Sequence, residues 1–354
     1  MVINKEEERL VERITRIRSE LEDSITILAH HYQRDSIVHC ADMVGDSLEL
    51  ARYAARETTS PYIVFCGVYF MAETADIVTP ETRTIILPNI EAGCSLADMA
   101  TIEQVEACWK MLKNNVHKKI VPITYINSAA EVKAFCGRNG GSVCTSSNAE
   151  KVLRWALSNG DKVLFLPDQH LARNTAVRMG IPLEQTVLYY PFCPDGGISP
   201  EILNKTKIIL WDGNCCVHTV FRPESIDVLR KQYPDISVIV HPECTYDVVK
   251  KADYCGSTSY IIKVVSEASK GSRWAIGTEY HLVHRLEQKY PDKFIISLPP
   301  QENRCASMYL IDLHHLYQSL NYLRMGKIIN CVRVPDEIAK DARMALDRMF
   351  AISG

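Results

Sequence analysis

The sequence predicts an α/β fold of three similar αβα subdomains with small parallel sheets around a pseudo-threefold axis, and three observations point to it. Short β-rich apolar runs alternate with amphipathic helical patterns along the chain, the signature of parallel strands joined by crossover helices. The order of elements recurs. Ser47 and Ser147 each open a helix, and Phe65 and Phe165 lie in the strand that follows; the period of about 100 residues is too long for a solenoid. With 354 residues, 47% hydrophobic and 23% charged, the chain can bury more than one core.

The N-terminal stretch MVINKEEERLVERITRIRSELED reads as a charged helix and not as a secretory leader. The first unit then runs through a strand at ITILA, a helix at GDSLELARYA, a strand at YIVFCG, a helix at FMAETADIV and a strand at RTIILP before EAGC. The second runs through IVPITYIN, CTSSNAEKVLRWA, KVLFLP, DQHLARNTA and KIILW before DGNC, and the third through SVIVHPEC, GSTSYIIKVVSEA, RWAIGTEYHLVHRL and KFIISLP before PQENRC. Each unit is expected to hold a three-stranded parallel sheet. The division expected is 1–114 for the N-terminal helix and first subdomain, 115–230 for the second, 231–311 for the third, and 312–354 for a helical tail packed outside the core. The segment YYPFCPDGGISPE is expected to be irregular, because Pro and Gly interrupt both helix and strand.

Composition narrows the function. Forty Lys and Arg against 43 Asp and Glu leave a formal charge of -3, which argues against a nucleic-acid partner. No apolar run approaches the roughly 20 residues of a membrane span, so a cytoplasmic protein is expected. The 13 cysteines are odd in number, scattered and without a CxxC pair, unlike a disulfide framework. A metal site would have to be assembled from distant segments.

Ligands of α/β sheets bind beyond the carboxyl ends of the strands, and unusual residues gather there. The first strands end in His30-His31-Tyr32, Tyr125-Ile126-Asn127 and His241-Pro242-Glu243. Helix starts carry Ser47, Thr145-Ser146-Ser147 and Ser257-Thr258-Ser259, which suit both N-capping and anion binding. The third strands are followed by Cys94, Cys215 and Cys305. Three equivalent thiolates would meet on the pseudo-threefold axis and fit a [4Fe-4S] cluster with one open iron better than zinc, which takes a fourth protein ligand in structural sites. Spacing alone does not separate Cys215 from Cys216. Cys40, Cys66, Cys108, Cys136, Cys144, Cys193, Cys255 and Cys331 read as small buried hydrophobes, and Cys244 as a bystander.

At these residues the sequence resembles the quinolinate synthases, the NadA family of de novo NAD biosynthesis. The resemblance covers almost the whole chain and rests on LAHHYQ, VGDSLELA, FMAETADI, LPNIEAGCSLADM, TYIN, CTSSNA, LPDQHLARN, WDGNCCVH, HPEC, GSTS and GTE, in that order. It implies a triangle of three αβα domains around one [4Fe-4S] cluster, with Cys94, Cys215 and Cys305 as ligands. Cys215 is selected over Cys216 because the family's ligand stands two positions before V-H. Cys305 stands alone in QENRCASM, Tyr69 precedes FMAE where His is common, and the segment before WDGNCC is not part of the matched motifs.

The implied reaction joins iminoaspartate to dihydroxyacetone phosphate, with the cluster as Lewis acid. An aspartate oxidase or dehydrogenase is the expected supplier of iminoaspartate; neither nucleic acid nor membrane is a partner. Glu243 is the expected base, with His218 and His241 as hydrogen-bond donors or proton shuttles. His30 and Tyr32, two apart on extended chain and so on one side, exchange protons at a substrate oxygen, while His31 faces away. Ser47, Tyr125, Asn127, Thr145, Ser146, Ser257 and Thr258 are expected to bind the carboxylates and phosphate, and Met71 to form an apolar wall. Two rivals are a zinc hydrolase or lyase built on His218, His241 and Glu243, and a non-catalytic iron–sulfur scaffold.

Overall fold

In the computed structural model, which describes residues 5–354, the apolar runs form three sheets. The first contains β1 (Ile25–His30), β2 (Met43–Gly45), β3 (Tyr62–Cys66) and β4 (Thr84–Ile86), ordered β4-β3-β1-β2 and parallel throughout. The second contains β5 (Ile120–Tyr125), β6 (Ser142–Cys144), β7 (Lys162–Leu166), β8 (Thr186–Tyr189) and β9 (Ile208–Trp211), ordered β6-β5-β7-β9-β8. The third contains β10 (Ser237–Val240), β11 (Tyr254–Cys255), β12 (Arg273–Gly277) and β13 (Phe294–Ser297), ordered β11-β10-β12-β13. All six residues of β1 and of β5 are buried, as strands covered on both faces must be.

Some details differ from the sequence expectation. Each sheet has an additional parallel edge strand, β2, β6 or β11, of only two or three residues, too short to show a periodic pattern, and the second sheet has a further parallel strand, β8, on its other edge. The insertion also begins in regular structure: Tyr189 ends β8 and pairs with Trp211, and the irregular path starts one residue later.

The repeat extends to single hydrogen bonds. Asp42, just ahead of β2, accepts the backbone N–H of Ile27 at 2.7 Å, and Asp253, just ahead of β11, accepts that of Val238 at 2.7 Å. The strand registers place Pro122 and Gly141 at the corresponding positions of the second sheet. Proline has no N–H to satisfy, so no carboxylate is needed opposite it. A Cβ at Gly141 would stand 1.9 Å from the Pro122 carbonyl oxygen. The exchange explains a proline inside a central strand, a position usually closed to it.

The chain forms two compact units. One comprises residues up to Cys94 with Glu279–Lys289 and Glu302–Pro335, and contains the first sheet. Within it the helix Lys5–Leu21 lies against Leu313–Arg324, with the Arg13 guanidinium 4.2 Å from the Tyr317 ring centre and Arg324 paired to Glu20 at 3.3 Å. The tail is not wholly helical: β14 (Cys331–Val332) pairs antiparallel with β4, and Asp76 accepts the Val334 N–H at 2.8 Å. The other unit comprises Ser95–Thr278, Tyr290–Gln301 and Asp336–Gly354, and contains the second and third sheets. Among the described residues no helix is long and apolar enough to cross a membrane.

In this second unit the last helix, Asp336–Ser353, packs on Ala130–Arg138 at Gly137, where a Cβ would lie 1.9 Å from the Asp341 carbonyl oxygen. Replacing a helical Gly by Ala ordinarily gains about 1 kcal/mol, but overpacking against a backbone atom costs about 1–3 kcal/mol or more. Gly137→Ala is therefore expected to lower the unfolding free energy by about 1–2 kcal/mol in urea titrations. An unchanged or higher midpoint would show that the two helices separate without cost.

Candidate active site

In each sheet the strand order reverses between the first and third strands of the repeat, β1 and β3, β5 and β7, β10 and β12. Loops leaving such a switch point diverge and open a crevice at the carboxyl ends. In the second unit that crevice contains a buried polar cluster. One carboxylate oxygen of Glu243, Oε2, lies 3.1 Å from His218 Nδ1 and 3.0 Å from His241 Nδ1. The two imidazoles stack with centroids 4.3 Å apart and planes 20° from parallel. His218 Nε2 reaches Thr278 Oγ1 at 3.2 Å. All four residues are buried.

Burial alone would push the Glu243 carboxyl up, but the charge and hydrogen bonds of His218 and His241 outweigh it and hold the group well below the usual carboxylate range. Asp168 moves the other way: burial, then repulsion from Glu243, push it up against the backbone N–H groups of Leu171, His170 and Cys215. Neighbouring carboxyls driven apart in this way are the pattern of an acid and a base in one site. The HPEC loop carrying His241 and Glu243 is fixed by Asn174, whose Nδ2 donates to the carbonyls of Pro242 at 2.9 Å and Cys244 at 2.8 Å. Cys215 Sγ, a His218 ring nitrogen and a Glu243 oxygen lie within 4.8 Å of one another, a group of donors able to hold a metal ion.

Cys215 is half-buried and directly precedes the four-residue helix Cys216–Thr219; Cys216 itself is exposed, near Ser95. Cys94 directly precedes the four-residue helix Ser95–Asp98, and Cys305 directly precedes Ala306–Tyr309. One further hydrogen bond recurs three times. The N–H of Tyr69 donates to Ala92 O at 2.7 Å, that of Gln169 to Gly213 O at 2.9 Å, and that of Tyr280 to Asn303 O at 3.0 Å. Each acceptor stands two residues before its cysteine, which aligns Cys215, and not Cys216, with Cys94 and Cys305.

Other residues singled out from sequence sit as follows. In the first unit the rings of His30 and Tyr32 meet edge to face at 4.7 Å, and His30 Nδ1 accepts the Tyr32 N–H at 3.1 Å, so a neutral His30 carries its proton on Nε2. Ser47 is the first residue of its helix, which Asp46 caps. Met71 is buried, with its sulfur above Gly67. In the second unit Tyr125 ends β5 and is buried; the Asn127 side-chain oxygen and Glu243 Oε1 are buried with no hydrogen-bond partner among the described residues. Thr145 and Thr258 are buried, and Ser257 caps the helix Thr258–Glu267. Ser146 and Ser257 line one cleft of about 570 Å³ together with Lys151, Arg154 and Arg178. Ser147 stands two residues ahead of its helix, which begins at Ala149. Cys193 and Cys331 are exposed, not buried, because they lie in the insertion turn and on an edge strand.

Sequence reasoning gave no role to Asp168, Thr278 or Glu279. The signal was their place, since LPDQHLARN and GTE directly follow β7 and β12 at the switch points.

The fold and site define a repeat-built α/β enzyme with a buried acid–base cluster beside a thiol. The family model described as quinolinate synthetase A protein matches residues 12–351. The quinolinate synthase of a Nocardioides species is 50% identical over 98% of this chain and 90% of its own length. Those of Streptomyces coelicolor and Anoxybacillus flavithermus are each 48% identical over 97% of this chain, and over 88% and 94% of their own lengths. The chain belongs to the quinolinate synthase family.

His31 gives a pH test. Burial, and then Arg285, hold its imidazole down at about 4, against the pull of Asp46. Unfolded, the ring titrates near pH 6.5. Between those values the unfolded chain binds the extra proton, so this contribution is complete above about pH 6.5 and is lost as pH falls toward 4. Wild type is expected to lose on the order of 2 kcal/mol more than His31→Gln between pH 7 and pH 5 in denaturant titrations. Parallel curves would refute the assignment.

Proposed function

We propose that the chain condenses iminoaspartate with dihydroxyacetone phosphate to quinolinate, releasing phosphate and two waters, in the cytoplasmic synthesis of NAD. The observation that carries this reading is the buried Glu243–His218–His241 cluster beside Cys215, in a chain whose relatives bear that enzyme's name. The subdomain division at residues 114, 230 and 311 belongs to the same reading, as does an aspartate oxidase or dehydrogenase as source of iminoaspartate.

The donor set fits a [4Fe-4S] cluster held by Cys94, Cys215 and Cys305. All three are half-buried thiols outside any disulfide, at equivalent loop ends, and soft thiolates select such a cluster. When bound, the cluster supplies a Lewis acid for departing hydroxide.

The protein groups supply the rest. Glu243 takes a proton from carbon and shares it with His218 and His241, which lie at hydrogen-bond distance from it. The unpartnered oxygens of Glu243 and Asn127 accept substrate O–H or N–H groups. Tyr32, backed by His30, exchanges a proton with a substrate oxygen. Ser47, Tyr125, Thr145, Ser146, Ser257 and Thr258 bind carboxylate and phosphate, and Met71 borders the apolar part of the substrates.

A second reading, a mononuclear metal held by Cys215, His218 and Glu243, is favoured by the 4.8 Å grouping of their donor atoms. Anaerobic purification separates the two. The cluster reading expects brown protein with about four irons and four sulfides, lost in Cys94→Ala, Cys215→Ala and Cys305→Ala but kept in Cys216→Ala. Colourless protein carrying zinc, or iron retained without Cys305, would favour the mononuclear site. Glu243→Gln is expected to keep its iron while quinolinate formation falls about 10²- to 10⁴-fold; full activity in this variant would remove Glu243 from the mechanism.

A further inference from the structure

The loops that carry Tyr32 and Glu243 share one construction. His30-His31-Tyr32-Gln33 and His241-Pro242-Glu243-Cys244 each turn on a first-to-fourth backbone bond, Gln33 N–H to His30 O at 2.9 Å and Cys244 N–H to His241 O at 3.0 Å. In each, the histidine Nδ1 lies beside the backbone nitrogen two residues on, 3.1 Å from that of Tyr32 and 3.4 Å from that of Glu243. Tyr32 and Glu243 thus occupy the same place in the two turns.

Each turn is gripped from outside by one side chain, on the two carbonyls that flank that place. In the second unit Asn174 Nδ2 donates to Pro242 O at 2.9 Å and to Cys244 O at 2.8 Å. In the first unit the Arg285 guanidinium donates to His31 O and to Gln33 O, the latter at 2.8 Å, and also reaches Asp35 Oδ1 at 2.8 Å. The gripping residues correspond as well. Asn174 stands five residues after Gln169, and Arg285 five after Tyr280, counted from the N–H that binds the cysteine loop in each repeat. At the same count in the first repeat is Thr74, whose hydroxyl donates to Phe70 O at 2.7 Å in its own helix. Asn174 and Arg285 both stand inside their helices, Gln169–Arg178 and Tyr280–Lys289, where capping explains neither. One helix position in two repeats therefore carries an amide and a guanidinium that make the same pair of bonds.

Resting on the proton-transfer roles proposed above for Glu243 and Tyr32, we infer that Asn174 and Arg285 are their positioning residues: each fixes the backbone on both sides of one reacting side chain and so sets where it meets the substrate. Both groups are planar, with donors in fixed directions, so two bonds from one group hold the tilt of the turn as well as its distance. A reacting group misplaced by about 1 Å can cost about 10²-fold in rate.

The test uses the full-length protein, purified without oxygen, in steady-state assays of quinolinate formation. Asn174→Ala and Arg285→Gln are expected to lower kcat about 10- to 100-fold while KM changes less than about twofold, with wild-type iron content. Arg285→Lys keeps a charged donor and is expected to recover part of that loss. A residue that acts only through another loses its effect once the other is removed. Asn174→Ala is therefore expected to change kcat less than about twofold in a Glu243→Gln background, and Arg285→Gln likewise in Tyr32→Phe. Losses of equal size with and without the background substitution overturn the inference, as does wild-type kcat in the single variants. Should Asn174→Ala fail to fold, Arg285, which is partly exposed, decides through its pairing with Tyr32→Phe. Wild-type rates in Glu243→Gln and Tyr32→Phe overturn the proposed roles and the inference together, so the two failures are distinguishable.

Discussion

The site depends on the burial of one negative charge, that of Glu243. A carboxylate removed from water costs several kcal/mol unless opposite charge and hydrogen bonds compensate it. Here the compensation comes from two imidazoles converging on a single oxygen. The rings stack with centroids 4.3 Å apart, so both present an edge nitrogen to the same oxygen. The second sheet supplies the framework: Asn174, on the helix after β7, grips the loop after β10 by two carbonyls. His218 approaches from the loop after β9.

The repeat is held by backbone chemistry more than by side-chain identity. The N–H bond made by Tyr69, Gln169 and Tyr280 is available to any residue except proline, so the side chain there can change between repeats without loss of the fold. This accounts for a tyrosine at position 69. Where a side chain is used, the substitutions are coordinated: Asp42 and Asp253 each answer an N–H, and Gly141 faces Pro122, which offers none. The repeats are therefore free to diverge at their mouths, where chemistry is placed.

What could be read from the sequence divides along the same line. The strands ITILAH, IVPITY and SVIV, the helices after them and the cysteine at each loop end were legible because each is a local pattern repeated in order. The short edge strands were not, since two or three residues have no period and take their conformation from the neighbouring strand. The cluster of His218, His241 and Glu243 was legible as three strand-end residues. Its geometry was not, because the contacts join loops of two sheets. Asp168 and Glu279 escaped for another reason: a carboxyl at the start of a helix has a sufficient local explanation in capping, and the bond from the distant Cys305 N–H to Glu279 has no local sequence signal.

The choice between Cys215 and Cys216 shows how little side-chain information that step needs. Both are cysteines in one loop, and a motif distinguishes them only by counting from Val217-His218. In the structure, Gln169 binds the carbonyl of Gly213, and a Cβ on Gly213 would stand 2.3 Å from the Pro167 carbonyl oxygen. Gly213 is thus fixed against the end of β7, and the chain reaches its short helix two residues later at a set height. The residue at that height is Cys215, half-buried and close to His218 and Glu243; Cys216 begins the helix on its exposed side. Which of the two thiols lies beside His218 and Glu243 is decided by where the backbone is anchored, and the anchoring works through a glycine and a main-chain N–H that carry no chemistry of their own.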